Sequence, residues 1–404
     1  MSSKASKDAA RAARPGQAVR APLWLLALIT FSGTMAMHVF VPALPQAAAA
    51  LEASPGAMQL TVSFYIFGLA FGQLVYGPVS DHFGRRPVLI CGLGIYALAG
   101  FAALLAPNVH ALIIARLLQA LGGCSGLVLG RAMVRDGATP GEAAQRLALM
   151  NLMVVAGPGV APLIGTALAE TAGWRAILLA LAGLGVCNLL LAWKLLPETG
   201  GGGAGQGTRA VLRNYVGLLG SRAFLGFTLG GGCASTAVYA YVAAAPFIFI
   251  DRLHRPGHEV GVYLALNFLG LWFGTLAASR LASRMGAPRL LLRGNLLSLI
   301  GALGFLAAVL TGVVDVKITL LTMALFSFGV GVAAPASLAE AMGVNPLVVG
   351  SASGLYGFGQ MGIGGLSTSL AGIGGDPALA AALVLTAAGV IAQLSFRLAL
   401  RGRR

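Results

Sequence analysis

Residues 77–87 read Gly77-Pro78-Val79-Ser80-Asp81-His82-Phe83-Gly84-Arg85-Arg86-Pro87. Two apolar stretches, Met58–Tyr76 and Val88–Ala106, flank this charged run. The rest of the chain is dominated by Ala, Leu, Gly and Val, so a tight cluster of charge marks a place where the chain leaves lipid. Over 404 residues, 57% are hydrophobic and 10% charged, with a mean hydropathy of +0.85. Soluble domains carry about 25% charged residues, so this composition describes a polytopic membrane protein.

Spans of about 20 apolar residues give twelve segments: 23–44, 58–78, 88–106, 110–132, 146–169, 176–196, 223–249, 259–279, 289–312, 318–339, 348–372 and 378–397. In lipid the backbone must satisfy its own polar groups, and the two-residue alternation of a membrane barrel is absent, so the expected class is all-α. Net charge is +15, but the basic residues follow topology rather than forming a nucleic-acid surface. With a cytoplasmic N-terminus, 22 of the 27 Lys and Arg residues fall on the inner side, and five (Arg116, Arg175, Arg252, Arg255 and Lys317) on the outer half. That is the positive-inside bias, which predicts an inner membrane protein with both termini cytoplasmic and basic ends meeting anionic lipid. The first apolar segment is too long for a signal-peptide core and reads as a retained span. Cys91, Cys124, Cys187 and Cys233 lie inside spans without metal-ligand spacing and read as small packing residues.

Mid-chain, the loop 197–222 holds Gly200–Gly203, Gly205 and Gly207, a linker composition. No strand and no Gly-Lys-Ser/Thr accompany it, so it is not a phosphate loop. Arg209–Leu219 beyond it suits a short interfacial helix. The linker divides the chain into a basic tail (1–22), a six-span half (23–196), a second half (223–397) and a tail (398–404). Asp81-His82-Phe83-Gly84 is echoed by Ser283-Arg284-Met285-Gly286, each after the second span of its half. Six plus six spans with weak internal symmetry is the pattern of repeats that meet at a midplane site.

The loop 77–87 resembles motif A of the major facilitator superfamily. Further stretches resemble its bicyclomycin/chloramphenicol-resistance (Bcr/CflA) group of drug:proton antiporters. They are Phe40–Pro45, Gln59–Ser63, Arg116–Gly123, Arg131–Asp136, Gly173–Arg175, Pro197–Thr199 and Gly350–Gly354. The resemblance implies twelve helices in two pseudo-symmetric halves. It also implies a gate built from Gly77, Asp81, Gly84, Arg85, Arg86 and Asp136, in which Asp81 pairs with Arg85 and faces a helix N-terminus of the other half. Arg116, two turns into the fourth span, matches the motif B arginine implicated in proton coupling. An arginine there costs about 3 kcal/mol or more in lipid, and Gln119 lies one turn on, on the same face. Gly157, Pro158, Pro162 and Gly165 resemble motif C of antiporters, with Ala161 where Gly is frequent.

His38 departs from the group, which carries an acidic residue there. All twelve Asp and Glu residues lie in tails, loops or span ends. Histidine titrates near neutral pH, so His38 is the candidate proton carrier, and a neutral packing role is its alternative. A cavity lined by His38 and Arg116 without a carboxylate favours neutral or anionic cargo over cations. Tyr65, Asn151, Tyr239 and Gln360 are the candidate cavity contacts. The implied function is proton-driven export of small amphiphilic compounds by a monomer without cofactor. Same-fold uptake, or export of one metabolite, is the alternative. Neither paired intramembrane carboxylates nor a nucleophile–base pair suggests an enzyme.

Overall fold

A computed structural model describes residues 21–136, 140–199, 208–345 and 348–401. Among them no strand occurs. The helices are α1 Leu23–Ala50, α2 Pro55–Phe83, α3 Arg85–Leu104, α4 Val109–Asp136, α5 Pro140–Ala172 and α6 Trp174–Leu195. A linker helix, Thr208–Leu219, follows. Then come α7 Arg222–Arg252, α8 Gly257–Met285, α9 Ala287–Leu310, α10 Val316–Met342, α11 Val349–Ala371 and α12 Pro377–Arg401.

Several helices outrun the apolar segments that announce them. Helix α2 extends through Ser80, Asp81 and His82 to Phe83, and α5 begins at Pro140 rather than near 146. Apolarity reports only the lipid-immersed part, whereas the backbone ladder continues into the interface. Ten of the twelve are long and apolar enough to cross a bilayer on composition alone. The two that fall short, α5 and α11, each pack along a helix of the opposite half. Exposed side chains such as Leu98, Leu321 and Leu398 ring the bundle, as a lipid-facing surface requires.

The packing graph shows the duplication better than the sequence does. Within the first half α2 packs on α4, α4 on α3, α3 on α6, and α1 on α4 and α5. Each of these recurs in the second half when six is added to its label: α8 on α10, α10 on α9, α9 on α12, and α7 on α10 and α11; the second half adds a strong α7–α12 contact whose counterpart, α1 on α6, is weak. The two main contacts between halves, α2 with α11 and α5 with α8, exchange under the same operation.

Glycines make the symmetry physical. A Cβ on Gly122 of α4 would lie within 2.5 Å of Gly92 O and clash with the Tyr96 amide of α3. A Cβ on Gly329 of α10 would lie within 2.5 Å of Gly294 O and clash with the Ser298 amide of α9. Small residues at such crossings let membrane helices approach closely. The turn that opens each second hairpin is equally constrained. Gly84 has φ 94° and ψ 154°, and Gly286 has φ 72° and ψ 153°, a region essentially reserved for glycine.

Candidate functional site

The Asp81 loop closes the α2–α3 hairpin at the basic end of the bundle. Arg85 sits between two carboxylates: its Nη1 is 2.6 Å from Asp81 and its Nε 3.1 Å from Asp136 at the end of α4. Ser80 Oγ accepts a further bond from Nη1 at 2.5 Å. One partner goes beyond the motif. The Glu198 carboxylate accepts from the backbone amides of Arg85 at 2.9 Å and Arg86 at 3.1 Å. It thus caps the free N–H groups of α3, where negative charge also meets the helix dipole. Arg86 donates to Trp193 O at 2.8 Å. The loop is thereby tied to α4 and to the end of α6, all within the first half. The Pro197-Glu198-Thr199 run held that signal, but only the fold brings it beneath α3.

Arg116 is fully buried inside the first half. Its Nη1 donates to Gln119 Oε1 and its Nη2 to Ala36 O, both at 2.7 Å. Pro42 explains the second bond. Proline has no N–H, so the carbonyl of His38 lacks its helical donor and receives the Phe40 N–H instead. Ala36 O, four residues before Phe40, is left to the guanidinium. The cation also lies 4.2 Å from the ring centre of Tyr65 and 5.4 Å from that of Phe40, inside the reach of cation–π attraction. Tyr65 is itself fixed by donating to Gly33 O at 2.7 Å. No carboxylate joins this group among the described residues. Arg116 Nε and Gln119 Nε2, both donors, are buried without an acceptor, and the nearby Tyr96 hydroxyl is buried without a partner.

His38 faces another way. Its ring stands edge-on to Phe268 at 5.2 Å and tilted to Tyr239 at 5.9 Å, so it contacts α8 and α7 across the seam. It is buried, and its Nδ1 has no hydrogen-bond partner. The single cavity expected to hold His38 and Arg116 is therefore two separate environments here. One is an aromatic seam between halves and the other a polar pocket closed within α1, α2 and α4. Spacing along a helix gave each residue a depth but could not give its azimuth after the break at Phe40–Ala43. Of the candidate cavity residues, Tyr65 belongs to the Arg116 group and Tyr239 to the His38 group. Gln360 donates to Ser235 Oγ at 2.7 Å within the second half. The side chain of Asn151 lies outside the described residues.

The α5 segment carrying Gly157, Pro158, Pro162 and Gly165 is a two-sided seam. A Cβ on Gly157 would meet the Phe31 ring at 2.9 Å, and one on Gly165 would clash with the Val39 carbonyl, both on α1. On the other side a Cβ on Gly261 of α8 would meet Pro162 O at 2.8 Å. Gly261 is a seam residue that sequence reading missed. Cys124 meets Gly72 and Leu69, as packing predicts, whereas Cys91 and Cys187 are exposed on the bundle surface.

Along α2 and α11 the halves are zipped from the end opposite the basic loops. A Cβ on Gly56 would collide with Gly372 O, and one on Gly365 would meet the Phe67 ring at 2.8 Å. The rings of Phe71 and Phe358 meet tilted, their centres 5.6 Å apart, and Gln73 Nε2 donates to Gly357 O at 3.3 Å. Beyond that point the helices part. A cavity of about 360 Å³ opens at the basic end, walled by Gln73, Gly77, Asp81, Arg85, Arg131 and Arg135 on one side and by Gly350, Ser351, Ser353 and Gly354 on the other. The linker helix contributes Val211 and Tyr215, and burial raises the Tyr215 phenol above its ordinary pKa. The α2–α11 seam is thus in contact at the end away from the basic loops and parted at the basic end.

Comparison with known proteins agrees with this architecture. A family model described as Major Facilitator Superfamily matches residues 26–369. The chain is 30% identical over 383 residues to the uncharacterized MFS-type transporter YdgK of Bacillus subtilis, covering 92% of this chain and 94% of that protein. It is 31% identical over 339 residues to Multidrug resistance protein D of Escherichia coli, covering 83% and 84%. To the bicyclomycin resistance protein homolog of Haemophilus influenzae it is 25% identical over 353 residues, covering 85% and 87%. Among solved structures, the partially occluded inward open form of the xylose transporter XylE from E. coli superposes with a TM-score of 0.71 at 13% identity, covering 92% of this chain and 95% of that one. That likeness speaks for the fold alone. Two symmetric six-helix halves and a match over most of its length make this chain a member of the major facilitator superfamily, a membrane transporter rather than an enzyme.

Proposed function

We propose that the chain exports small amphiphilic compounds from the cytoplasm in exchange for protons, working as a monomer in the inner membrane with both termini cytoplasmic. The observation that carries this reading is the likeness, over more than four-fifths of both chains, to relatives named for multidrug and bicyclomycin resistance. The Asp81–Arg85–Asp136 cluster acts as the inner gate, holding the first half's hairpin rigid while the α2–α11 and α5–α8 seams open and close. Such rocking of two parallel repeats about a fixed midplane site is an alternating-access mode.

Cargo preference follows from charge. The deep ionisable group on the seam is His38, Arg116 stands in its own pocket within the first half, and no Asp or Glu accompanies either among the described residues. Neutral or anionic compounds are therefore the favoured cargo, and lipophilic cations are poor. His38 is the proton carrier: it lies on the seam that alternates, and its Nδ1 is without a partner. The test is a resistance panel in an efflux-deficient host, with and without a protonophore, spanning neutral phenicols, sulfonamides and cationic dyes. Protonophore-sensitive resistance to the first two classes is expected. Strong efflux of ethidium by purified protein in liposomes would refute the charge argument, and a panel with no response would point to a single metabolite as cargo. His38→Ala is expected to abolish proton-coupled export and His38→Asp to retain it. Unchanged coupling in His38→Ala would remove His38 from the mechanism.

A further inference from the structure

The cavity at the basic end has a charge pattern that the gate does not use. Two of its four charged wall residues, Asp81 and Arg85, neutralise each other. The other two, Arg131 and Arg135 of α4, make no hydrogen bond or ion pair among the described residues. Arg131 is the more telling, because its Nε is sealed from solvent without a partner. A guanidinium cannot escape by deprotonation, so an unpaired one beside a cavity is an open demand for an anion. The facing wall answers with donors. Helix α11 starts at Val349, and its preceding residue Val348 supplies no side-chain cap. The positive end of this 23-residue helix dipole lies at that wall. Ser351 and Ser353 lie in that turn and the next and line the same cavity.

From this juxtaposition we infer an oxyanion-binding site between Arg131 of the first half and the Gly350–Ser353 turn of the second. Its ligand is a carboxylate or phosphate group on a small molecule or lipid headgroup. The cavity's volume, about 360 Å³, sits at the low end of small-molecule pockets and holds one such group with a short apolar appendage. Arg131 supplies the charge, and the helix terminus and serine hydroxyls supply directed donors, the combination that recognises oxyanions elsewhere. The ligand bridges the halves. It must leave before the basic end closes, because Asp81 lines the same space and approaches the same helix terminus as the walls converge. The site is distinct from the Arg116 and His38 groups and does not depend on the direction of transport.

The test is a thermal-unfolding titration of the purified full chain in nanodiscs. The probes are inorganic phosphate and benzoate added to zwitterionic discs, and phosphatidylglycerol incorporated in the discs. A saturable rise in Tm is expected with at least one probe. The apparent affinity should fall about tenfold or more in Arg131→Gln and be largely retained in Arg131→Lys. A benzoate response assigns the site to organic acids, a phosphate response to free phosphate compounds, and a phosphatidylglycerol response to lipid headgroups. Ser351→Asp places a fixed carboxylate at the helix terminus, which favours folding, and should abolish the response by occupying the site internally. No rise with any probe, or Arg131→Gln or Ser351→Asp responding like the parent, overturns the proposal. Because the readout is binding without a gradient, it can succeed or fail independently of export.

Discussion

The two halves share a scaffold but not a chemistry. Gly122 in α4 and Gly329 in α10 occupy equivalent crossings, so the residues six and three positions earlier correspond. In the first half these are Arg116 and Gln119, and in the second Met323 and Phe326. All four are buried to within 1% of full coverage. The same helix crossing therefore holds a charge with a polar partner in one half and a thioether and a phenyl ring in the other. The second half shows what the scaffold needs for stability, which is apolar volume. The first half shows what has been added at a cost, and a cation in a site that accepts methionine in its duplicate is not demanded by packing.

Exchanging these residues tests that contrast. Met323→Arg introduces a guanidinium with no prepared carbonyl or aromatic face and should have the largest effect. An uncompensated buried charge costs about 3–5 kcal/mol, so this variant is expected to lose folded protein, read as yield and monodispersity by size-exclusion chromatography. A well-folded Met323→Arg protein would show that the second half is not the apolar reference it resembles. Arg116→Met is the converse. The variant removes a buried charge that no carboxylate compensates but leaves Gln119 Oε1 and Ala36 O without their donor, at about 1–3 kcal/mol each, so Tm should fall only modestly. Proton-driven export should be lost, measured in liposomes with an imposed pH gradient. If Tm collapses instead, Arg116 is a structural residue and the comparison fails.

The hairpin turns offer a finer contrast. Gly84 and Gly286 adopt the same positive-φ conformation, so Gly84→Ala and Gly286→Ala should each cost about 1–3 kcal/mol, visible as a lower Tm. Gly84→Ala should be worse, because its Cβ would lie 2.8 Å from the Glu198 carboxylate, whereas the nearest side-chain atom at Gly286 is 3.9 Å away. Equal losses would mean that backbone strain alone decides. Smallest is Glu198→Gln, which keeps an acceptor for the α3 amides but removes the charge. A loss of about 0.3–1 kcal/mol is expected, diminished by added salt. A salt-independent loss would show that shape rather than the dipole fixes the loop.

Much of this was legible in the chain. Twelve apolar stretches, a basic loop after the second and its degenerate copy after the eighth were enough for the class and the two halves, because lipid permits few alternatives and charge cannot be hidden there. Arg116 and Gln119 could be paired by helical spacing alone. The Glu198 cap could not, since 113 residues separate it from Arg85 and only the docking of α6 brings it there. Nor could the parting of His38 from Arg116, which turns on how Pro42 redistributes the last carbonyls of α1. Nothing in the local sequence marks Gly56, Gly261 and Gly372 as seam residues, since what demands glycine there is the backbone or side chain packed opposite.

What the sequence determined by itself is where the chain lies in lipid: hydropathy, charge bias and proline and glycine placement act locally and survive without knowledge of neighbours. What only the tertiary structure decided is which polar groups face one another. It put Arg116 on a carbonyl and two aromatic rings, left Arg131 Nε without a partner among the described residues, and closed one end of the α2–α11 seam while opening the other. Those outcomes depend on helix azimuth and crossing, and in a bundle whose helices touch through glycine a shift of one side chain's width exchanges a partner for a void.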